Sequence, residues 1–141
     1  MYYKPLLLPL LAQVLLTFLV WLYLYSRRIP EIVRSGMDPN KLRDRAEAHR
    51  LLPRSANPSN NLKNLFEVPI LFYVAVLLAL ILMFQDRLLV LLAWGFVAFR
   101  AIHSLVHCTY NNVSHRFMAY AVSTLFLALM WFRLATYILQ N

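Results

Sequence analysis

The sequence predicts an all-α integral membrane protein, a bundle of four transmembrane helices forming a single domain over residues 1–141. Three observations carry that reading. Hydrophobic residues make up 61% of the 141 positions and charged residues only 14%, a balance too apolar for a water-soluble globule. Apolar runs recur along the chain, each near the ~20 residues that a helix needs to cross a ~30 Å hydrocarbon core. The 14 Lys and Arg against 6 Asp and Glu, a formal charge of +8, flank those runs; such charges orient a membrane protein and do not point to nucleic acid. The single cysteine, Cys108, excludes an internal disulfide and a cysteine-based metal cluster.

The first span is read over residues 6–25. Aromatic residues and Ser26-Arg27-Arg28 follow it, where a cleaved signal peptide would show small residues. The connection 26–61 holds most of the charge. In it, Asp38-Pro39 offers a helix cap followed by proline at the first helical position, and KLRDRAEAHRLL continues as one polar helix until Pro53 stops it. Asn57-Pro58 reads as the start of the next helix, which would carry Asn60, Asn64 and Glu67 down one face into a second span over 62–84. The third and fourth spans are read over 88–107 and 117–139, with a nine-residue turn ahead of Arg116. The Arg and Lys of the first connection place it in the cytoplasm and both termini on the opposite side.

That topology collects polar residues in one half of the membrane. Arg27 and Arg28 close the first span, Asn64 and Glu67 open the second, Arg100, His103 and His107 close the third, and Arg116 opens the fourth. Positions 100, 103 and 107 share one helix face. Arg100 lies about 10 Å inside the end of its span, a depth at which an unpaired charge costs several kcal/mol, and Glu67 is its expected partner. Two blander readings stay open: Glu67 paired with Lys63 one turn earlier, and Arg116 as an interfacial charge. Arg133 reads as a snorkelling anchor and Trp21, Trp94 and Trp131 as interface or packing residues. His103 and His107 have a spacing that can grip a metal, yet an arginine on the same face would repel a divalent cation and no acidic ligand lies nearby. No metal site is expected.

Asn64-Leu-Phe-Glu67 followed by Pro69 resembles the Asn-x-x-Glu…Pro signature of the MAPEG family, the membrane-associated proteins in eicosanoid and glutathione metabolism. Arg100-x-x-His103-x-x-x-His107 and then Arg116 are similar to the corresponding segment of the family's microsomal glutathione S-transferase branch. Ser26-Arg27-Arg28 resembles the arginine pair of its leukotriene C4 synthase branch. The resemblance implies a homotrimer among membrane lipids, with glutathione as co-substrate bound between subunits in the cytoplasmic half. It also implies a transferase or peroxidase of detoxification that acts on a lipophilic small molecule.

In that reading Arg116 is the catalytic residue, stabilising the thiolate, while Arg27, Arg28, Asn64, Glu67, Arg100, His103 and His107 bind the tripeptide. The residue types suit the task. Glutathione's carboxylates call for arginines, its amino group for a carboxylate, and its thiol for a cation that favours the thiolate. The chain has Asn60 where the family's glutathione-binding enzymes carry an arginine, and His107 where they carry a tyrosine. His107 would then donate the hydrogen bond, and Arg50 or Arg54 would reach in from the loop. The alternative is a non-catalytic member of the same fold that binds lipid or organises a partner.

Overall fold

The computed structural model describes residues 4–140, and these form helices α1 (Lys4–Ser35), α2 (Arg45–Leu51), α3 (Pro53–Leu65), α4 (Val68–Ile81), α5 (Arg87–Cys108) and α6 (Val113–Gln140). Four stretches are long and apolar enough to cross a membrane: Pro5–Ser35, Pro53–Ile81, Arg87–Cys108 and Val113–Gln140. The second crossing is made of two helices. Leucines such as Leu8, Leu11, Leu15 and Leu125 remain exposed along these helices, the pattern of a surface meant for lipid.

α1 continues past the expected end at Tyr25 as far as Ser35, carrying Pro30 within it. It ends where Gly36 adopts a left-handed conformation with φ +60°, the usual helix stop. The polar run that follows is not the single helix its sequence suggests. Asp38 caps a short 3-10 turn, Pro39–Leu42, by accepting from the Asn40 amide at 2.9 Å, and Asp44 caps α2 by accepting from the Glu47 amide at 3.0 Å. A second aspartate inside the run offers the backbone a competing cap and splits it.

α3 begins at Pro53, not at Pro58, which is buried inside it. Leu52 precedes Pro53 and has no capping side chain; instead the Glu31 carboxylate of α1 accepts from the Arg54 amide at 3.0 Å. The expected continuous span over 62–84 is interrupted at Phe66 and Glu67. Pro69 supplies no amide hydrogen and its ring crowds the carbonyl four residues earlier, on Leu65, so the helix must stop and restart.

At the far end, residues 82–86 turn the chain and Asp86 caps α5 by accepting from the Leu89 amide at 2.7 Å. The other oxygen of Asp86 accepts from Arg133 Nε at 3.0 Å and Nη2 at 2.7 Å. Arg133 is therefore a docked ion-pair partner rather than a snorkelling anchor, and its guanidinium also lies over the Phe84 ring. After α5, Asn112 caps α6 by accepting from the His115 amide at 3.1 Å. Because α6 starts at Val113, the connection is shorter than nine residues and Arg116 sits in the first helical turn.

The apolar core lies between this hairpin end and the middle of the bundle. Phe72 of α4 stacks on Phe96 of α5 at 4.6 Å between centroids, with Leu6, Leu89, Met130 and Leu134 around them. α5 and α6 approach closely at Gly95, where a Cβ would meet the Phe126 ring at 2.5 Å. The opposite half, toward the connection 36–52, is filled differently.

A candidate anion site at the loop end

Asn57, Asn61 and Asn64 recur at i, i+4 and i+7 on α3, so one face of a short helix presents three amides. α5 and the turn after it meet the first two amides and, at the third position, the backbone carbonyl. Asn111 Nδ2 donates to Asn57 Oδ1 at 3.1 Å; Ser104 Oγ donates to Asn61 Oδ1 at 3.3 Å; Asn61 Nδ2 donates to the Cys108 sulfur at 3.4 Å; and Arg100 Nη2 donates to the Asn64 carbonyl at 2.8 Å. The polar positions that meet α5 and its turn are thus 57, 61 and the Asn64 carbonyl, and not 60, 64 and 67. Asn61, fully buried, went unnoticed in the sequence although its spacing from Asn57 and Asn64 was there to be counted.

Glu67 does not reach Arg100. It lies in the helix break, exposed, with Lys63 Nζ at 3.8 Å. Arg100 is 0% exposed and has two other sources of compensation. Its guanidinium sits at the C-terminal end of α3, where unsatisfied carbonyls concentrate negative potential, and 5.6 Å from the centroid of the Tyr120 ring, whose face attracts a cation. Neither supplies a full charge. Arg100 Nε and Nη1 are buried with no hydrogen-bond partner among the described residues, a costly state for donors on an ion.

The histidines complete the cluster. His103 Nδ1 lies 3.0 Å from the Arg116 carbonyl, which only accepts, so Nδ1 donates and Nε2 keeps its lone pair. Arg116 Nη1, which only donates, lies 3.1 Å from His107 Nε2, so His107 accepts there and carries its proton on Nδ1. The remaining nitrogens, His103 Nε2 and His107 Nδ1, are buried and unpartnered among the described residues. Arg116 also donates to Asn111 Oδ1 at 2.8 Å. A cavity of about 180 Å3 opens between α3, α5 and α6, lined by Asn64, His103, Val113, Arg116, Phe117 and Tyr120. Tyr120 was also missed in the sequence; it stands one turn after Arg116, and that spacing was its only signal.

Comparison with known protein families matches residues 6–136 to the MAPEG family. The chain belongs to the MAPEG family. Comparison with curated proteins and with solved structures gives no match. The match spans all four crossings, so this is an integral, multi-pass membrane protein, and MAPEG membership fits a membrane function related to glutathione or eicosanoids.

Within this MAPEG chain the structure gathers Asn64, Arg100, His103, His107 and Arg116, and leaves Arg27, Arg28 and Glu67 elsewhere. Arg27 lies over the Tyr23 ring at 5.2 Å and lines a separate cavity of about 200 Å3 with Glu31, Arg34 and Arg54. Arg28 turns toward His49 of α2. Partial burial lowers the basicity of His49, and the positive charges of Arg45 and Arg28 lower it further. The guanidinium that reaches Asn60 is neither that of Arg50, held by Glu47 at 2.7 Å, nor that of Arg54. Arg45 donates to Asn60 Oδ1 at 3.2 Å and to the Ser59 carbonyl at 3.3 Å, so a cation from α2 attends the position where the family's arginine would stand.

Proposed function

We propose that this MAPEG protein binds glutathione at the loop-end cluster and directs its sulfur at lipophilic electrophiles, as a transferase or peroxidase. The observation that carries the proposal is Arg100, a fully buried cation with two unpaired donors. An intramembrane cation with unmet donors is costly and marks a functional site, and an anion would meet those donors. Arg116 adds a second cation at the first turn of α6, where the helix N-terminus already favours negative charge.

In this scheme the thiol releases its proton to solvent, and Arg116 stabilises the thiolate left behind. A positive neighbour favours ionisation of a thiol whose ordinary pKa is ~8.5. The sulfur then forms a bond to the electrophilic carbon as its leaving group departs with the bonding pair. Asn64, which lines the cavity, holds the tripeptide, and Arg100, buried behind it, adds positive charge. The cavity of about 180 Å3 is smaller than the ~300 Å3 at which ordinary ligand sites begin, so a homotrimer belongs to the proposal: Arg27, Arg28 and Glu67 would contribute across a subunit boundary. The loop end would face the cytoplasm, where the first connection's basic residues favour it.

The test is ultraviolet difference spectroscopy of the purified protein with glutathione. Thiolate absorbance that saturates with glutathione supports the proposal, and no binding at millimolar glutathione overturns it. A second reading, a non-catalytic lipid-binding or scaffold protein, is favoured by one observation: Arg116 is already held by His107 and Asn111 within its own subunit. Binding without thiolate formation would select it.

A further inference from the structure

A second site lies on α1, away from the cluster. Leu16, Val20 and Tyr23 recur at i, i+4 and i+7, and the same face continues through Arg27, Glu31 and Arg34. Along its apolar part runs a groove of about 450 Å3 against α5, where Ala101, Leu105 and Cys108 form the other wall. Along its charged part lies the cavity of about 200 Å3 bordered by Arg27, Arg34, Arg54 and the Glu31 carboxylate. Tyr23 and Arg27 join them, for Tyr23 lines the groove while Arg27 lines the cavity and lies over the Tyr23 ring at 5.2 Å. An apolar trough along the span thus leads to a cavity bordered by three arginines.

From this arrangement we propose that the α1 face binds an anionic membrane phospholipid, its phosphodiester held by Arg27, Arg34 and Arg54 and one acyl chain lying in the groove against α5. Guanidiniums suit phosphate because their forked donors match its oxygens, and basic pockets beside transmembrane helices recognise such headgroups. Glu31 refines the choice. One oxygen accepts from the Arg54 amide at 3.0 Å, while the other is buried without a partner and seeks a donor. A headgroup that carries hydroxyls beyond its phosphate supplies both charge and donor, so phosphatidylglycerol fits better than a lipid whose headgroup has no donor. The α3 N-terminus, which Glu31 caps, adds its positive end to the same cavity.

The site does not depend on glutathione binding. Arg27 is common to both proposals, so the test falls on Arg34 and Arg54. In detergent, phosphatidylglycerol should raise the melting temperature of the unaltered protein while phosphatidylcholine should not. Arg34→Gln with Arg54→Gln should weaken the apparent phosphatidylglycerol affinity at least tenfold, with melting in phosphatidylcholine unchanged. Ala101→Phe, which fills the groove and leaves every arginine in place, should weaken it as well and keeps the proposal testable if the double variant does not fold. Glycerol phosphate, the head without a tail, should give no shift at matched concentration. Equal responses to the two lipids, a full response in the arginine variant, or a response to glycerol phosphate as large as to the lipid would each overturn the proposal. So would an Ala101→Phe variant that dissociates into monomers with its lipid response intact, because a second copy of the chain would then be the groove's occupant.

Discussion

Arg133 and Arg100 sit in opposite halves of the bundle in unlike company. Arg133 meets Asp86 through two hydrogen bonds, and that carboxylate also caps α5. Arg100 is the more deeply buried of the two and has only a carbonyl at 2.8 Å and the face of Tyr120. A protein able to place a carboxylate where a cation needs one did so for the structural arginine at the hairpin end. At the loop end the cation is left waiting for one, as the proposed glutathione site requires.

The largest effect should come from removing that waiting charge. Arg100→Met keeps the side chain's approximate length and removes two unpaired buried donors. Replacing a poorly compensated buried ion by an apolar group is often neutral or stabilising, so the melting temperature should stay or rise. Glutathione affinity should fall at least about a hundredfold, ~2.7 kcal/mol. A melting temperature lowered by many degrees would make Arg100 structural and erase its contrast with Arg133.

Asp86→Ala is the mirror test. It removes the α5 cap, worth about 1 kcal/mol, and unpairs Arg133, worth at most about 1 kcal/mol because both side chains are partly exposed. Thermal unfolding should show about 1–2 kcal/mol lost with glutathione affinity unchanged. A loss of affinity would mean that the two halves are coupled.

The same contrast explains what could be read from the chain beforehand. Four apolar crossings, the loop and the stripe 100, 103, 107 follow from composition and period. Expecting Glu67 opposite Arg100 failed because that expectation assumed a continuous helix; Pro69 breaks it two residues after Glu67 and sends the carboxylate outward. Arg133's partner was invisible because the Asp86 contact joins positions 47 residues apart, a separation that no local pattern encodes. Asp44 split the polar helix by competing for the backbone, a choice that helix-period counting cannot weigh against propensity. The Asn57–Asn61–Asn64 face was legible, and only the wrong start of α3, at Pro58 instead of Pro53, hid it.

Arg116 tests whether the loop-end charges do chemistry or only bind. Arg116→Lys preserves the cation but not the fork that reaches His107 and Asn111. Expression and assembly should be unchanged, and glutathione-dependent turnover should drop about tenfold, ~1.4 kcal/mol of transition-state stabilisation. Turnover equal to that of the unaltered protein would reduce Arg116 to an interfacial anchor.

The smallest effect tests the contrast by pH. His49 lies in the connection at the loop end, so its protonation reports on that half of the bundle. His49, on α2 outside the spans, faces Arg28 of α1, Arg45 of its own helix and the Ser59 hydroxyl of α3 at 3.5 Å. Its basicity in the fold is below the ordinary value of 6.5 because burial and then the two arginines disfavour its charged form. The folded state therefore binds fewer protons than the unfolded chain once the pH drops below that value. Above about pH 6.5 both states hold His49 neutral and it has no pH-dependent effect; below it, stability is progressively lost. His49→Gln keeps a polar group beside Ser59 and cannot acquire the charge. Between about pH 7.5 and about pH 5.5, thermal unfolding of the unaltered protein should lose slightly more stability than that of the variant. Identical losses would show that the two arginines leave His49 free to take its proton in the fold.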